Sequence, residues 1–379
     1  MYRSMTMRRS ENEDVCETFG YYPDGRLKFA IGGGMRYDYN YDVMGRLKEK
    51  KASGRILLRK TYDKNGNLCE RTDFTGKITR YTYDLLDQIM EVYDNNVIQA
   101  KYEYDAAGTV IRQRIGNGLI TEYSYNMDHK LISLVTVMEG QDVIKTIVDN
   151  HYWYDPNGNM QCKKTLTGVN YYAYDEMNRL VEADYPKYSE KFQYDKAGNR
   201  THRSVSRVEE CSKAPSKGLV AMFGNNLPEG NIRKTSLISQ EIYKYDELNH
   251  LTDIFHEQNG EENREKFYYD AQGNLLRDSA HMYTYDSRNR LARVDCANGN
   301  YQENHYDAEG LRAEMVENGE LVQFLFDNRE IIAETEADGN VIRYIRGLEI
   351  ISSDSEKART YYHYASNELG SITHIIGKK

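Results

Sequence analysis

A Tyr-Asp pair that recurs about every 21 residues constrains this chain more than any other feature. A fixed period of this length is the signature of an array of small supersecondary units, each of which buries its apolar face against its neighbours. Two degenerate copies flank the series, at residues 22–27 and at Phe326 and Asp327. The first member of the pair is Tyr41, Tyr62, Tyr83, Tyr104, Tyr125, Tyr154, Tyr174, Tyr194, Tyr245, Tyr269, Tyr285 and Tyr306. The second member is Asp42, Asp63, Asp84, Asp105, Asn126, Asp155, Asp175, Asp195, Asp246, Asp270, Asp286 and Asp307.

The residues that follow the pair specify a tight turn. The third residue after each Asp or Asn is Gly, Asn, Asp or His, all of which tolerate a positive φ better than most residues. The fifth residue is apolar in ten of the twelve copies. Asp at the first position of a type I turn, followed by a left-handed residue, is typical of a hairpin loop with a β-bulge. We predict that each Asp pairs with the residue four positions on, and each Tyr with the residue five positions past the Asp.

The aromatic residues follow the alternation of a β-strand. A second Tyr or Phe lies two residues before most of the pairs, as Tyr81 lies before Tyr83, so both rings occupy one face. The chain has 34 Tyr in 379 residues, and its mean hydropathy of -0.80 is too polar for one thick core. Because an isolated hairpin is only marginally stable, neighbouring hairpins must pair laterally. We predict an all-β fold of repeated antiparallel β-hairpins in one wide, open, curved or spiralling sheet of about 28 strands.

The spacing of the repeat also suggests how the chain is organised. The interval between Asp195 and Asp246 is 51 residues and contains a cluster of Gly, Pro, Ser and Lys, which favours an insertion there. The same repeat resumes on both sides, so the insertion is not interpreted as a domain boundary. We predict a polar lead-in at 1–20, a hairpin array at 21–204, a loop insertion or degenerate repeat at 205–240, a continued array at 241–335 and a different C-terminal stretch at 336–379.

Charge and composition exclude several classes of protein. The formal net charge of -9 disfavours binding to the phosphate backbone of nucleic acids. No segment approaches the run of about 20 apolar residues that spans a membrane, and the start of the sequence lacks the apolar region of a signal peptide. The five Cys residues are scattered without a C-x-x-C pair, so neither a disulfide framework nor a Cys-based metal site is predicted.

Patterns typical of catalysis or cofactor binding are missing from the sequence. Asp63–Asn67 and Asp155–Asn159 place oxygen atoms at alternate positions, as half of a calcium loop does, but other copies keep the turn residues and lose these ligands. Gly32, Gly33 and Gly34 lack the following Lys and Ser or Thr of a P-loop, which favours a flexible connection. We therefore predict no catalytic residue, no cofactor and no metal site, and structural roles for the repeated Tyr, Asp and Asn residues.

Together, the repeat and the C-terminal stretch resemble a known family. Tyr-Asp-x-x-Gly-Asn-Leu at this spacing is similar to the YD repeats of Rhs proteins, their bacterial wall-associated relatives, teneurins and the C components of insecticidal Tc toxins. Residues 343–351 and 361–371 resemble the entry into the Rhs-associated core. On this resemblance, the sequence stops before the end of that core. The resemblance implies a hollow shell of spiralling β-hairpins around a toxic C-terminal polypeptide. The family's autoproteolytic segment would follow residue 379, so no cleavage residue is assigned.

On this resemblance we expect a non-catalytic shell segment that encapsulates or scaffolds a tethered or downstream toxin polypeptide in bacterial competition. It would be secreted or cell-wall associated as part of a longer protein. The alternative is an extracellular adhesion or carbohydrate-binding module, in which Tyr152, Trp153 and Tyr154 stack on cell-surface glycans. Recurrence of Tyr at every hairpin favours the structural role, since a binding site is normally local. The sequence leaves open which way the Tyr face is oriented.

Overall fold

The chain folds into β-strands joined by short turns. The computed structural model describes residues 2–7, 15–116, 118–140, 143–210 and 233–377. These ranges contain no helix, and so no helix that could cross a membrane. The strands are β1 Tyr2–Met7, β2 Val15–Tyr21, β3 Leu27–Gly32, β4 Met35–Tyr41, β5 Leu47–Ala52, β6 Arg55–Tyr62, β7 Leu68–Asp73, β8 Ile78–Tyr83, β9 Ile89–Asp94, β10 Val97–Tyr104, β11 Val110–Ile115, β12 Leu119–Tyr125, β13 Leu131–Glu139, β14 Ile144–Tyr154, β15 Met160–Thr165, β16 Gly168–Tyr174, β17 Leu180–Asp184, β18 Tyr188–Tyr194, β19 Arg200–Glu210, β20 Arg233–Tyr245, β21 Leu251–Gln258, β22 Glu261–Lys266, β23 Tyr268–Tyr269, β24 Leu275–Arg277, β25 His281–Tyr285, β26 Leu291–Cys296, β27 Tyr301–Tyr306, β28 Arg312–Glu317, β29 Glu320–Asp327, β30 Glu330–Thr335, β31 Val341–Arg346, β32 Ile350–Ser355, β33 Thr360–Ser366 and β34 Ile372–Gly377.

Strands that are consecutive in the chain pair antiparallel. For example, β4 pairs with β5, β5 with β6 and β6 with β7. A Tyr-Asp turn joins β4 to β5, and the tight turn at Ser53 and Gly54 joins β5 to β6. Since consecutive strands run in opposite directions, the Tyr-Asp turns lie along one edge of the sheet and the other turns along the opposite edge. The all-β class of repeated antiparallel hairpins is confirmed.

The strands form two sheets where the sequence predicted one. Strands β1–β22 form a 22-stranded sheet and β23–β34 a 12-stranded sheet. At the interruption, β23 has only two residues. Isolated hydrogen bonds cross it: the Phe267 amide donates to the Thr252 carbonyl (3.0 Å), and the Tyr269 hydroxyl donates to the Leu251 carbonyl (3.0 Å). The continuous ladder therefore stops here, although the hairpin repeat continues through it.

The chain divides into two compact units. Unit 1 comprises Met1–Glu122, Thr136–Lys145 and Met282–Lys379, and unit 2 comprises Tyr123–Val135 and Thr146–His281. Apolar clusters occur in each unit among the described residues. Two clusters of unit 1 join residues that are far apart in the chain: Ala30, Tyr37, Tyr39 and Ala308 in one, and Leu58, Leu325, Ile332 and Ala333 in another. A cluster in unit 2 contains the buried residues Leu134, Val148 and Tyr152.

The predicted segments contain more strand than expected. Within the insertion predicted at 205–240, β19 runs to Glu210 and pairs with β20, which begins at Arg233. The rest of that insertion, 211–232, lies outside the described residues. The lead-in contains β1 and most of β2, which pair with each other. The C-terminal stretch adds β31–β34 to the second sheet through the same antiparallel pairing. The segment boundaries themselves stay a prediction.

Candidate functional site

The Tyr-Asp turn has the same geometry in all twelve copies. In the first copy, the Asp42 amide donates to the Arg46 carbonyl (2.9 Å), and the Gly45 amide donates to the Asp42 carbonyl (3.0 Å). The Asp42 carboxylate accepts hydrogen bonds from the amides of Met44 (3.0 Å) and Arg46 (2.9 Å). The third residue after the Asp has a positive φ in every copy, including the non-glycine Asp87 (62°). Each predicted Asp and Asn therefore lies at the start of a turn that its own side chain stabilises.

The repeat Tyr residues pair across the hairpin with the residue five positions past the Asp. The pairing register shifts by one residue just before each of these Tyr residues, as expected for a β-bulge. The pairs are Tyr41 with Leu47, Tyr62 with Leu68, Tyr83 with Ile89, Tyr104 with Val110, Tyr154 with Met160, Tyr174 with Leu180, Tyr194 with Arg200, Tyr245 with Leu251, Tyr269 with Leu275 and Tyr306 with Arg312.

Hydrogen bonding also affects the charge of the turn carboxylates. The backbone hydrogen bond from Arg179 lowers the pKa of the Asp175 carboxyl, and the Arg179 guanidinium lowers it further. The turn at Asp307 differs, because burial raises the pKa of its carboxyl. The Tyr37 hydroxyl donates to Asp307 Oδ2 at 3.1 Å. One turn motif thus occurs in two environments, half-buried at Asp175 and buried at Asp307.

We expect the folded state to lose stability as the pH falls below about 4, the ordinary pKa of an Asp carboxyl. A pKa that is lower in the folded state stabilises that state above the unfolded pKa, and the effect is lost as the pH falls through the folded pKa. Asn126 retains the amide hydrogen bonds from Asp128 (3.0 Å) and Lys130 (2.9 Å) without a charge. The Asp175→Asn variant should therefore keep its turn and have a melting temperature that depends less on pH. Glu176→Gln, which removes the same charge, is the control; equal pH profiles in the two variants would refute the assignment.

Nine of the twelve repeat Tyr residues make a further hydrogen bond that the sequence reasoning missed. The Tyr83 hydroxyl donates to the carbonyl of Leu68, the fifth residue of the preceding turn, at 3.0 Å. The excess of 34 Tyr over 9 Phe was the available signal, because Phe has no hydroxyl. In these copies the bond connects a hairpin to the one before it. The same bond joins Tyr62 to Leu47, Tyr104 to Ile89, Tyr154 to Leu131, Tyr174 to Met160, Tyr194 to Leu180, Tyr245 to Arg200, Tyr269 to Leu251 and Tyr306 to Leu291.

Removing one of these hydroxyls should weaken the array measurably. We expect Tyr83→Phe to lower the free energy of unfolding by about 1 kcal/mol, because the ring stays and one carbonyl loses its donor. The control is Tyr188→Phe, since the Tyr188 hydroxyl has no hydrogen-bond partner among the described residues and the side chain is 39% exposed. That variant should stay within about 0.5 kcal/mol of the wild type in denaturant unfolding. Equal losses in the two variants would show that the hydroxyl bond adds nothing.

Successive turns also contact each other through the fourth residue after the Asp. The Arg46 guanidinium donates to the Asp42 carboxylate (2.7 Å) and to the Asp63 carbonyl of the next turn (2.9 Å). It also lies 4.6 Å from the centre of the Tyr62 ring, in a cation–π contact. Arg179 makes the same contacts with the turn that follows it. The structure thus brings the predicted residues into rows of connected turns, and not into one pocket.

A second feature, which we call the charged seam, lies inside unit 1. It joins strands β5–β9 and their turns to strands and turns of the C-terminal sheet. Arg343 illustrates its burial, because its side chain is 5% exposed and those of its partners Asp73 and Asp94 are 7% and 8% exposed. Buried charges need such partners, since removal from water is costly. The pairs are Lys50 with Glu309 (2.5 Å), Lys60 with Asp327, Lys77 with Asp354 (2.6 Å), and Arg343 with Asp73 (2.6 Å) and Asp94 (3.0 Å).

The three-glycine segment, interpreted above as a flexible connection, instead packs closely against the buried turn at Asp307. A Cβ atom on Gly33 would clash with the carbonyl oxygen of Tyr306, and one on Gly32 would lie 3.1 Å from Ala308 Cβ. Ala308 is 5% exposed. The two glycines therefore allow this turn to approach the backbone of the first hairpins.

The aromatic residues proposed for sugar stacking do not form an exposed platform. Tyr152 is 2% exposed, and the Tyr154 hydroxyl donates to the Leu131 carbonyl (2.8 Å). Trp153 is half-buried and lies 6.4 Å from His151, measured between ring centres. The structure therefore gives the glycan-binding alternative no support. No group of three or more His, Cys, Asp or Glu residues that could hold a metal ion occurs in the described part of the chain.

Comparison with known proteins finds related sequences and related folds. Residues 26–118 match the family described as Teneurin YD-shell. Two curated relatives are the tRNA3(Ser)-specific nuclease WapA of Bacillus spizizenii and the tRNA nuclease WapA of Bacillus subtilis. Each is 26% identical over 217 residues, which cover 54% of this chain and 8% of the relative.

Solved toxin structures share the fold of nearly the whole chain. The Photorhabdus luminescens Tc holotoxin pore matches 98% of this chain and 21% of its own, with 15% identity and a TM-score of 0.67. The TcdB2-TccC3-TEV structure matches 99% of this chain and 21% of its own, with 16% identity and a TM-score of 0.68. The chain spans less than a tenth of the curated relatives and about a fifth of these solved chains.

The period of the Tyr-Asp pair, the geometry of its turn, the matched family and the shared fold agree with one another. The pair is the feature that gives the YD repeat its name. This chain carries the YD repeat: residues 26–118 match the Teneurin YD-shell family, and nearly the whole chain shares the fold of the Tc toxin structures.

Proposed function

We propose that this chain is a non-catalytic shell segment that encloses a toxin polypeptide. The observation that carries the proposal is the lateral hydrogen bond from nine of the twelve repeat Tyr residues to the preceding hairpin, as from Tyr83 to Leu68. Such bonds hold successive hairpins together in a wide sheet, which suits a wall better than a catalytic pocket. The fold shared with Tc toxin chains over 98–99% of this chain supports the same function.

The proposal assigns no catalysis to the described residues. The names of the WapA relatives refer to nucleases, but the matched region covers only 8% of each relative. In this chain the regularly repeated carboxylates accept hydrogen bonds from their own turns, as Asp42 does from Met44 and Arg46. We assign the matched region to the wall of the protein and any nuclease activity to another part of such a protein.

We further propose that the segment acts outside the cell, secreted or held at the cell wall as part of a longer toxin protein used in bacterial competition. Its partner would be a toxin polypeptide, tethered to the shell or encoded downstream. The fold shared with Tc toxin chains supports a polypeptide partner.

Protease protection tests the proposal. An unstructured reporter peptide is joined behind residue 379 through the remainder of the Rhs-associated core, and its cleavage is followed over time. An enclosed reporter should be cut at least about tenfold more slowly than the free peptide, because cleavage then requires opening of the wall. The matched control carries Arg343→Met, which breaks the charged seam and should restore fast cleavage. Equal cleavage of the fused and the free reporter would refute enclosure.

A further inference from the structure

Unit 1 contains a pocket of 480 Å³ that the repeat chemistry does not explain. Strands β7–β9, the turn between β29 and β30, and residues 346–350 line it. Its lining includes apolar and aromatic side chains, such as Tyr81, Tyr83 and Leu348, together with charged side chains. Residues 346–350 belong to the C-terminal stretch that resembles the Rhs-associated core. The turn that joins β31 to β32, which is not a Tyr-Asp turn, therefore forms part of a pocket.

One charge in this pocket has no partner. Arg71 pairs with Asp327 (3.5 Å), and Arg346 pairs with Glu330. Glu349 has no ion-pair partner within the described ranges, and its Oε2 atom is buried without a hydrogen-bond partner. The Glu349 side chain as a whole is half-buried. A carboxylate oxygen that is excluded from water without a hydrogen-bond partner is costly, and in a native protein it calls for an explanation such as a ligand. The group that best compensates it is a cationic hydrogen-bond donor.

The backbone next to Glu349 is held in place. The Leu348 amide donates to the Tyr102 hydroxyl (3.4 Å), and the Gly347 amide donates to the Glu349 carbonyl (2.9 Å). A side chain at Gly347 would clash with the Tyr102 hydroxyl, and Tyr102 itself is only 2% exposed. The carboxylate is thus presented by an anchored segment, as a preorganised binding site requires.

We propose that this pocket binds a lysine or arginine side chain of a polypeptide, with Glu349 as the acceptor for its cationic group. The alkyl part of such a side chain can pack on the apolar residues of the lining, and the rings of Tyr81 and Tyr83 favour a nearby cation. Arg71 and Arg346 leave Glu349 available, because each already pairs with another carboxylate. The inference rests on the proposed function only for the source of this side chain, which is the enclosed polypeptide.

Titration of the full chain with three capped amino acids tests the pocket. The probes are N-acetyl-lysine N-methylamide, its arginine analogue and its norleucine analogue, which has an alkyl chain but no charge. NMR shifts of the Leu348 and Ile350 methyl groups locate the binding, and calorimetry measures the affinity. The lysine and arginine probes should bind at least about tenfold more tightly than the norleucine probe, because only they donate a charge-assisted hydrogen bond.

Two variants make this test specific. Glu349→Gln should weaken the lysine and arginine probes at least about tenfold, with a melting temperature no lower than that of the wild type. Glu317→Gln removes an exposed carboxylate outside the pocket and should leave binding unchanged. Equal affinities for all three probes, no binding of any probe, or unchanged lysine binding by Glu349→Gln would each overturn the inference. Such a failure leaves the protease-protection result intact, because protection measures enclosure and not side-chain binding.

Discussion

Replacing Arg343 with methionine is expected to lower the free energy of unfolding by about 3–5 kcal/mol, the usual cost of removing one partner from a buried ion pair. The Arg343 guanidinium donates to Asp73 Oδ2 (2.6 Å) and to the two carboxylate oxygens of Asp94 (3.0 and 3.2 Å). Methionine keeps the apolar stem but removes the charge. Two carboxylates with side chains 7% and 8% exposed then lose their main cation. Denaturant unfolding at neutral pH measures the loss.

Two comparisons make the Arg343 result interpretable. Arg112 pairs with Glu122 at the surface, with side chains 36% and 53% exposed, so Arg112→Met should cost much less stability than Arg343→Met. Combining Arg343→Met with Asp73→Asn and Asp94→Asn should recover much of the loss, because neutral residues leave no unpaired buried charge. If Arg343→Met cost no more than Arg112→Met, the charged seam would not hold unit 1 together.

The seam also explains how unit 1 folds with a mean hydropathy of -0.80 for the chain. One apolar cluster of this unit has Leu58, Leu325, Ile332 and Ala333 as its buried members. Ion pairs such as Lys60 with Asp327 lie beside this cluster and join the same two parts of the chain. The interior of unit 1 therefore combines apolar clusters with paired charges. The polar composition of the chain indicated a thin sheet and gave no sign of these buried ion pairs.

The hairpins were predictable because each turn is determined by a few adjacent residues. Asp42 supplies the acceptor and Gly45 the positive φ (85°), and both are visible in the sequence. The hydroxyl bond from Tyr83 to Leu68 spans 15 positions, less than one repeat. It was missed because the bias toward Tyr was interpreted as packing alone. A ratio of 34 Tyr to 9 Phe contained that information.

The charged seam and the pocket were not predictable from the same sequence. Arg343 and Asp73 are 270 positions apart, and Lys77 and Asp354 are 277 apart. No motif links such positions, and Lys, Arg, Asp and Glu are usually exposed in a polar chain. The turn at Asp307 shows the same limit, since its motif matches that of the exposed turns while its surroundings are buried. Local chemistry determines the turn, and long-range packing determines where that turn lies.

Gly33→Ala should produce the other large loss of stability, about 2–5 kcal/mol from steric overlap combined with backbone strain. The new Cβ atom would overlap the carbonyl oxygen of Tyr306, which is backbone and cannot rotate away, and φ at this residue is +59°. Gly34 is the matched control, because its φ is +75° and nothing lies within 4 Å of a Cβ atom there. Gly34→Ala should lower the free energy of unfolding only by the strain of a left-handed backbone, about 1–2 kcal/mol. Denaturant unfolding compares the two variants directly. Equal losses would mean that the Asp307 turn does not pack against Gly33, whereas a larger loss at Gly33 alone supports the close approach.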